Sequence, residues 1–481
     1  MPKSKMHDLV VVLPGITGSV LKKDDRDLWA ISGSSLWSAL TSMGRSLGDL
    51  VVPDHDPRCT PPESAIRATQ LIQDFHGIFG FWRIDGYTST IRAIADMFDV
   101  RIGKPDSQDP GVNLIPFPYD WRLSNRFSAE QLKRVIDQRL PAYQKISRNP
   151  KAKVVLIAHS MGGLVARYYL EVLRGFESIR ALITFGTPYR GAVAALGYLA
   201  NGYKKSLFGN TLLDLSNVVR SLPSAYELLP RYKALKVGSD WKRPAEVVGN
   251  LPGLNATYTE AGLDFHLEID AAIKANKSDP QYTGYPIFPV VGIRQSTPTA
   301  AILDDGRLVV NDATPDWLDP ELGGGDGTVP RVSATPHDRE GDLREVFFGE
   351  RHASLQRNDY ILTDLVSRLE QLQAPRRLPA RGGVAAPHTA ISLSMDELYG
   401  PGEPIEISAD AIEVGRFCDL RALVVGATGS IQQTFHFASQ GQKWVANVDP
   451  LPPGQYRVSV DVANGGVGAP KPVHDVFEVA G

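Results

Sequence analysis

Short apolar segments of strand length alternate with segments of helical periodicity along the first three quarters of the chain. The strand-like runs are rich in β-branched residues, and the segments between them place apolar residues three and four positions apart. Near-continuous apolar strands separated by helices predict a mostly parallel sheet that is covered by helices on both faces. The predicted strands are Leu9–Leu13, Asn113–Phe117, Lys153–Ala158, Ile179–Phe185, Ile287–Ile293 and Leu343–Phe348, and the predicted helices are Tyr87–Phe98, Ala129–Leu140 with Ser128 as its cap, Leu164–Leu173 and Tyr360–Leu372.

The pattern changes beyond Gln373. Residues 374–387 contain several Pro, Arg and Gly residues and are predicted to form a linker. From 388 to 481, short alternating segments separated by turns rich in Gly and Pro predict an antiparallel β-sandwich of immunoglobulin-like type. We therefore expect a first domain over 1–373 and a second over 388–481. The predicted strands of the second domain are Ala390–Ser394, Ile405–Ser408, Leu420–Val425, Thr434–Ala438, Trp444–Val448, Tyr456–Ala463 and Val473–Val479.

Two long segments interrupt the alternation of strands and helices in the first domain. One spans about 18–83, and the other, rich in Leu and Tyr, spans about 189–276. Long insertions in a compact fold are usually binding loops or lids. The alternative is extra packing at the edge of the domain.

Composition narrows the classes of function. The chain has 481 residues, of which 43% are hydrophobic and 22% charged, and its formal net charge is −3. This composition is typical of a globular protein, and the charge balance gives no basis for binding nucleic acid. The two cysteines, Cys59 and Cys418, are too few for a disulfide scaffold or a Cys-based zinc site. The lack of a signal-peptide pattern and of a membrane-length apolar run favours a cytoplasmic protein.

Ser160 is the strongest candidate for a chemical role. It lies between an apolar strand and a predicted helix, in Ala158-His159-Ser160-Met161-Gly162-Gly163. This is the pattern of a nucleophile elbow, a sharp turn that exposes a serine hydroxyl and needs small neighbours. The alternative is a buried serine in an ordinary strand-to-helix turn.

A nucleophilic serine needs a base, and the base needs a carboxylate to orient it. In α/β-hydrolases the acid and then the histidine follow the serine in the sequence. Asp326 is the favoured acid because it lies among glycines in Gly323-Gly324-Gly325-Asp326-Gly327, although an Asp-Gly turn would give the same pattern. Weaker competitors are Asp304, Asp305 and Asp312, which belong to a predicted hairpin.

His352 is the favoured base among the ten histidines. It follows the last predicted strand and precedes a predicted helix. His337 lies in a polar loop and is expected to be solvated, whereas His159 is expected to pack or to form local hydrogen bonds. The developing oxyanion needs two backbone donors. We expect them to be the amides of Met161 and Thr17, and the predicted chemistry requires neither a metal nor an organic cofactor.

Several segments, in order along the chain, resemble the lecithin:cholesterol acyltransferase family of α/β-hydrolases. The resemblance extends from about Leu9 to Leu372. The matching pieces are Val12-Leu13-Pro14-Gly15-Ile16-Thr17-Gly18, Pro118-Tyr119-Asp120-Trp121-Arg122, the elbow, Gly186-Thr187-Pro188-Tyr189-Arg190-Gly191, Ser221 to Pro230 and Gly325-Asp326-Gly327-Thr328-Val329-Pro330, followed by His352.

The resemblance implies an α/β-hydrolase fold with Ser160, Asp326 and His352 as nucleophile, acid and base. It also implies that Thr17 and Met161 are the oxyanion donors. By the same resemblance, residues 18–83 contact lipid, with Trp29 and Trp37 as candidate contacts, and the segment from Gly191 to about Pro230 is a movable lid. Core packing is the alternative for both tryptophans.

The chain departs from the family pattern in three places. Ala158 replaces the first glycine of the elbow, Cys59 lacks a nearby cysteine partner, and the second domain lies outside the resemblance. These departures leave the serine chemistry in place but argue against an extracellular sterol-esterifying role.

Three functions follow from the sequence. The first is a serine-dependent lipase, phospholipase or O-acyltransferase that acts on a lipid or another ester and contacts membranes peripherally. The second is the lipid-hydrolysing arm of a regulated assembly, in which the C-terminal domain binds a protein partner. The third is a lipid-binding protein without catalytic activity.

Overall fold

The computed structural model describes residues 3–479 with the exception of 31–46, 60, 62, 74–85, 208–209, 283, 340–344, 375–388, 397, 413–418, 427–431, 441–442 and 464–468. The strands up to residue 350 are β1 Ser4–Lys5, β2 Leu9–Leu13, β3 Ser19–Lys23, β4 Arg26–Trp29, β5 Ile66–Leu71, β6 Phe98–Asp99, β7 Leu114–Pro116, β8 Val154–His159, β9 Ile179–Phe185, β10 Lys204–Leu207, β11 Asn210–Asp214, β12 Leu235–Val237, β13 Asp240–Lys242, β14 Ile287–Gly292, β15 Ala300–Asp304, β16 Arg307–Asn311 and β17 Val346–Phe348. The later strands are β18 Ala390–Met395, β19 Leu398–Tyr399, β20 Ile405–Ile412, β21 Leu420–Gly426, β22 Gln432–His436, β23 Ala438–Gln440, β24 Lys443–Val448, β25 Gly454–Val462 and β26 Val473–Val479. The α-helices are α1 Thr88–Met97, α2 Asn125–Ser147, α3 Gly162–Glu171, α4 Val193–Asn201, α5 Ser216–Ser221, α6 Pro223–Tyr226, α7 Ala256–Lys277, α8 Arg331–Ala334 and α9 Asp359–Gln373.

A six-stranded parallel sheet forms the centre of the first domain. Its strand order is β17-β14-β9-β8-β2-β7, and every neighbouring pair is parallel. The strands β2 and β8 are buried along their whole length, because helices and insertions cover both faces. The two faces carry separate apolar cores, one of which includes Val11 and Leu156, and the other Val10 and Ile157. With the turn from β8 into α3, this is the α/β-hydrolase fold that the sequence predicts.

The parallel arrangement brings the candidate residues to one edge of the sheet. The carboxyl ends of parallel strands lie at the same edge, where loops can carry reacting groups. Ser160 follows β8 directly, and His352 follows β17 after a short loop. The chain reaches Asp326 between these two residues, by way of the antiparallel hairpin β15–β16.

The two predicted insertions contribute structure of their own. Residues 18–83 include the three-stranded sheet β4-β3-β5, and β12 and β13 from residues 189–276 join the hairpin β15–β16 in a four-stranded sheet. The roles expected for these insertions stay predictions. Among the described residues, every helix is too short or too polar to span a lipid bilayer.

The helix predicted over Ala129–Leu140 begins earlier and ends later than expected. It runs over Asn125–Ser147, and its cap is Ser124, whose Oγ accepts the Arg126 amide at 3.2 Å. Ser128, the predicted cap, is a buried residue inside the helix. Both serines are suitable caps, but the Ser124 hydroxyl also donates to Glu227 at 2.5 Å. That contact crosses about a hundred residues of chain, so local sequence could not indicate it.

The C-terminal strands form two packed sheets. The first has the order β18-β20-β24-β23 and the second β19-β26-β25-β21-β22. Their facing sides share one apolar core, to which Ile391, Ile407, Val424, Val458 and Phe477 belong. An all-β C-terminal part is therefore confirmed, whereas its immunoglobulin-like type and the exact domain boundaries stay predictions. The linker predicted over 374–387 lies, apart from Ala374, outside the described residues.

A buried histidine on α7 makes stability depend on pH. The His266 Nε2–H donates to the Glu227 carbonyl at 2.8 Å, and burial, aided by nearby Arg231, lowers the pKa of His266 to about 3. An unfolded histidine binds a proton below about pH 6.5. The unfolded state therefore binds more protons between these two pH values, and the free energy of unfolding contributed by His266 falls as the pH falls through this window.

We predict that the stability of His266→Gln depends less on pH than that of the wild type, because the glutamine amide can donate to the same carbonyl without titrating. Between pH 6.5 and 4.5 the free energy of unfolding of the wild type should fall by about 1 kcal/mol per pH unit more than that of the variant, as measured by urea denaturation. Glu227 contributes with the opposite sign, since burial raises its pKa to about 7, but it is common to both proteins. His436→Gln, at an exposed histidine, is the control and should keep the pH dependence of the wild type. If the free energy of unfolding falls with pH at the same slope in the wild type and in His266→Gln, the prediction is contradicted.

Candidate active site

Ser160 lies at a strained turn between β8 and α3. Its φ is +52°, a left-handed conformation that side chains other than glycine rarely adopt. Backbone contacts hold it there: its amide donates to the Phe185 carbonyl at 2.8 Å, and its carbonyl accepts the Gly163 amide and the Thr187 hydroxyl, both at 3.0 Å. A side chain at Gly163 would collide with Thr187, since an added Cβ would lie 2.0 Å from its Oγ1. The small residues therefore permit the turn that the sequence pattern predicts.

Asp326, His352 and Ser160 form a continuous hydrogen-bonded row. The Ser160 Oγ lies 2.9 Å from the His352 Nε2, and the His352 Nδ1 lies 2.7 Å from the Asp326 Oδ2. The other oxygen of Asp326 accepts the amides of Thr328 at 3.0 Å and Val329 at 2.7 Å. With Nδ1–H donating to the carboxylate, Nε2 is the nitrogen that accepts the hydrogen bond from the Ser160 hydroxyl. The structure thus brings together the three residues expected to act as nucleophile, base and acid.

Gly186, at the end of β9, makes room for the pair of acid and base. Its φ is +55°, and an added Cβ would lie 2.8 Å from the Asp326 Oδ2 and 2.9 Å from the His352 Nδ1. A larger residue would therefore displace the hydrogen bond between them. The two loops are also joined directly, because the His352 amide donates to the Asp326 carbonyl at 2.8 Å.

The loop after β2 lies against the nucleophile. A Cβ added to Gly15 would lie 2.9 Å from the Ser160 Cβ and 3.5 Å from its Oγ. Thr17 has a φ of +61°, and within the described part of the chain neither its amide nor that of Met161 donates to a protein acceptor. Two amides without protein partners in these positions match the donors that an oxyanion would need, and their role stays a prediction.

The segment Pro118-Tyr119-Asp120-Trp121-Arg122 supports this loop from behind. The Tyr119 hydroxyl donates to the Pro14 carbonyl at 2.8 Å, and the Trp121 Nε1–H donates to the Ser19 carbonyl at 3.1 Å. Its two charged residues form a buried ion pair in which the guanidinium nitrogens lie 2.9 and 2.6 Å from the carboxylate oxygens. The segment therefore positions the loop after β2.

Comparison with known proteins finds similarities that cover part of the chain. The family profile described as lecithin:cholesterol acyltransferase matches residues 107–278. Phospholipase A(1) LCAT3 of Arabidopsis thaliana is 23% identical over 260 residues, which cover 50% of this chain and 55% of that protein. These two matches show that part of the chain is similar to the lecithin:cholesterol acyltransferase family.

Other similarities are shorter or looser. An uncharacterized protein of Saccharomyces cerevisiae is 39% identical over 88 residues, which cover 18% of this chain and 12% of that protein. The chain thus spans 12% and 55% of the lengths of these two curated relatives. Crystal structures of the Bacillus licheniformis lipase BlEst2 superpose with a TM-score of 0.32 in both forms. The propeptide form is 10% identical and covers 99% of this chain and 94% of its own, and the mature form is 12% identical and covers 76% and 94%.

The structure corrects the expectation that Trp29 contacts lipid. Its indole is only 3% exposed, its Nε1–H donates to the Thr17 carbonyl at 3.0 Å, and its ring packs edge-on against Trp121 with centroids 5.1 Å apart. Trp29 is therefore a core residue that holds the loop after β2. Trp37 lies outside the described residues. His337 is predicted from the sequence to be solvated, but it is half-buried and its Nε2 lies 3.2 Å from the Asp270 Oδ1.

Tyr87 is a site residue that the sequence did not indicate. Its hydroxyl accepts the Gly15 amide at 2.7 Å and donates to the His159 Nδ1 at 2.9 Å, and the His159 Nε2–H donates to the His352 carbonyl at 3.1 Å. Burial, and secondarily the neighbouring His352, keeps the pKa of His159 well below its usual value, so its ring is neutral. This relay joins the loop after β2 to the candidate base. A hydroxyl at the start of a helix carries no sequence signal for such a role.

We predict that Tyr87→Phe destabilises the protein by about 1–3 kcal/mol, because it leaves the buried Gly15 amide and His159 Nδ1 without partners. Urea denaturation of the wild type and the variant measures the loss. Tyr360→Phe is the matched control, since the Tyr360 side chain is 49% exposed. Equal stability of the two variants would show that the relay contributes nothing.

Proposed function

We propose that this chain is a serine-dependent lipase, phospholipase or O-acyltransferase that acts on an ester lipid through an acyl-enzyme. The observation that carries the proposal is the hydrogen-bonded row from Ser160 to His352 to Asp326. Its support from relatives is the match to the lecithin:cholesterol acyltransferase profile and the similarity to a plant phospholipase. Phospholipid is the first substrate to test on that basis.

In the proposed reaction, the Ser160 Oγ attacks the ester carbonyl carbon while the His352 Nε2 takes the hydroxyl proton. The carbonyl oxygen becomes an oxyanion, which the amides of Thr17 and Met161 stabilise. Collapse of this intermediate breaks the bond to the alcohol, which leaves with the proton held on His352. Asp326 keeps the imidazole in the required tautomer and stabilises its cation.

The second half of the reaction decides between hydrolysis and transfer. Water attacks the acyl-enzyme to release a fatty acid, or an acceptor alcohol attacks it to form a new ester. In both cases His352 removes the proton from the attacking oxygen and returns it to the Ser160 Oγ. The protein residues are the same for both routes, so the products identify the reaction.

The proposed nucleophile is tested with a fluorophosphonate probe and with lipid products. We predict that the probe labels the wild type and not Ser160→Ala, and that only the wild type changes the composition of mixed-lipid membranes measured by mass spectrometry. The masses of the products report the bond attacked, the acyl position and any transferred acyl chain. Labelling that persists in Ser160→Ala would show that the nucleophile is another residue, and lipid binding without labelling or turnover would favour a non-catalytic lipid-binding protein.

The proposed acid is tested by a variant that keeps its shape. We predict that Asp326→Asn lowers kcat by about 10³–10⁴-fold, because the amide no longer favours the tautomer with the proton on Nδ1. The measurement is the initial rate with a soluble ester. Asp304→Asn, at an exposed position of the hairpin β15–β16, is the control and should retain the wild-type rate. A similar rate for both variants would remove Asp326 from the mechanism.

A further inference from the structure

The loop that carries Asp326 is tied to the first C-terminal sheet through Gln295. The Gln295 side chain is buried, with its Nε2–H donating to the Ile391 carbonyl at 2.9 Å and its Oε1 accepting the Leu393 amide at 3.0 Å. Its own amide donates to the carbonyl of Gly325, the residue before Asp326, at 3.0 Å. One residue therefore pairs with β18 on one side and with the acid loop on the other.

The loop that carries His352 is tied to the second C-terminal sheet through Glu350. This carboxylate is 1% exposed. Its Oε1 accepts the amides of Arg351 at 2.8 Å and His474 at 2.9 Å, and its Oε2 accepts the Asn358 Nδ2 at 2.7 Å and the His474 Nδ1 at 2.8 Å. Two of its four donors thus come from β26. A carboxylate removed from water needs such donors, and the loss of one costs more than an ordinary hydrogen bond.

Arg351 and Gly349 extend the same contact on either side of Glu350. The Arg351 Nε lies 3.2 Å from the Oδ2 of fully buried Asp475, and its Nη1 donates to the Leu393 carbonyl. A Cβ added to Gly349 would lie 3.2 Å from the Ala390 Cβ, so the loop lies close against β18. The three residues that immediately precede His352 therefore all contact the C-terminal sheets.

We propose that the C-terminal sheets are a structural part of the active centre, with His474 and Gln295 as positioning residues for His352 and Asp326. The proposal rests on the proposed function, because it concerns how the base and the acid of that reaction are held. It assigns a task to sheets that lie outside the hydrogen-bonded row of Ser160, His352 and Asp326. The imidazole must accept a proton over 2.9 Å from Ser160, and a misplacement of about 1 Å can cost roughly 10²-fold in rate.

The test compares His474→Ala and His474→Asn in the full-length chain. Alanine removes the side-chain donor to Glu350, whereas the asparagine amide can donate from nearly the same place as Nδ1. We expect His474→Ala to lower kcat for a soluble ester at least about 10-fold with KM nearly unchanged, and His474→Asn to restore most of the rate. Fluorophosphonate labelling should slow in parallel, and the downfield NMR resonance of the His352 Nδ1 proton should shift or broaden in the alanine variant only.

His436→Ala is the matched control. His436 also lies in the C-terminal sheets and also faces a carboxylate, at 3.4 Å from Asp419, but its side chain is 65% exposed. It should keep the wild-type rate and resonance. Gln295→Met keeps the length of the side chain and removes both hydrogen bonds to β18. If His474→Ala does not fold, Gln295→Met replaces it in the test, and we expect the same loss of kcat and the same change in the resonance.

The outcomes separate this proposal from the proposed function. A wild type that is not labelled at Ser160 overturns the proposed function and, with it, the positioning role. A wild type that is labelled, together with folded His474→Ala or Gln295→Met variants of unchanged kcat, labelling rate and resonance, overturns the positioning role alone. A loss of kcat in His474→Ala that asparagine does not restore assigns the effect to general packing and likewise overturns it.

Discussion

The left-handed backbone of Ser160 is the constraint on which the arrangement of this protein depends. A residue at φ +52° persists only where its surroundings hold it. Here the ends of β8 and β9, the start of α3 and the loop after β2 all contact the turn. That crowding requires glycine at three positions, because an added Cβ at Gly15, Gly163 or Gly186 would collide with another residue of the site. The turn at Ser160 thus determines how closely the surrounding segments pack against it.

Much of this site could be predicted from the sequence because its signals are local. A buried strand that ends at a serine among small residues indicates an elbow, Asp326 lies in a glycine-rich loop, and His352 follows the last predicted strand of the sheet. The strand Ile179–Phe185 has the predicted bounds. Those features depend on periodicity and on neighbours within a few positions, which a single sequence contains.

The remaining features depend on contacts between distant parts of the chain. Ser124 rather than Ser128 caps α2, since only the folded chain places Glu227 beside it. Trp29 occupies the core instead of a lipid-facing surface because Thr17 and Trp121 surround it. No local pattern distinguishes these outcomes from their alternatives. The reactive residues of this site are therefore easier to identify from the sequence than the residues that hold them in place.

The contact of Gln295 with β18 has a consequence for solubility. β18 is the outermost strand of its sheet, and an outermost strand exposes amides and carbonyls on which another chain can build by adding a strand. The Gln295 amide group occupies one carbonyl and one amide of this edge. A side chain from the first domain thus covers part of this edge. We expect this contact to hinder the aggregation by strand addition that the C-terminal sheets would undergo if they were isolated.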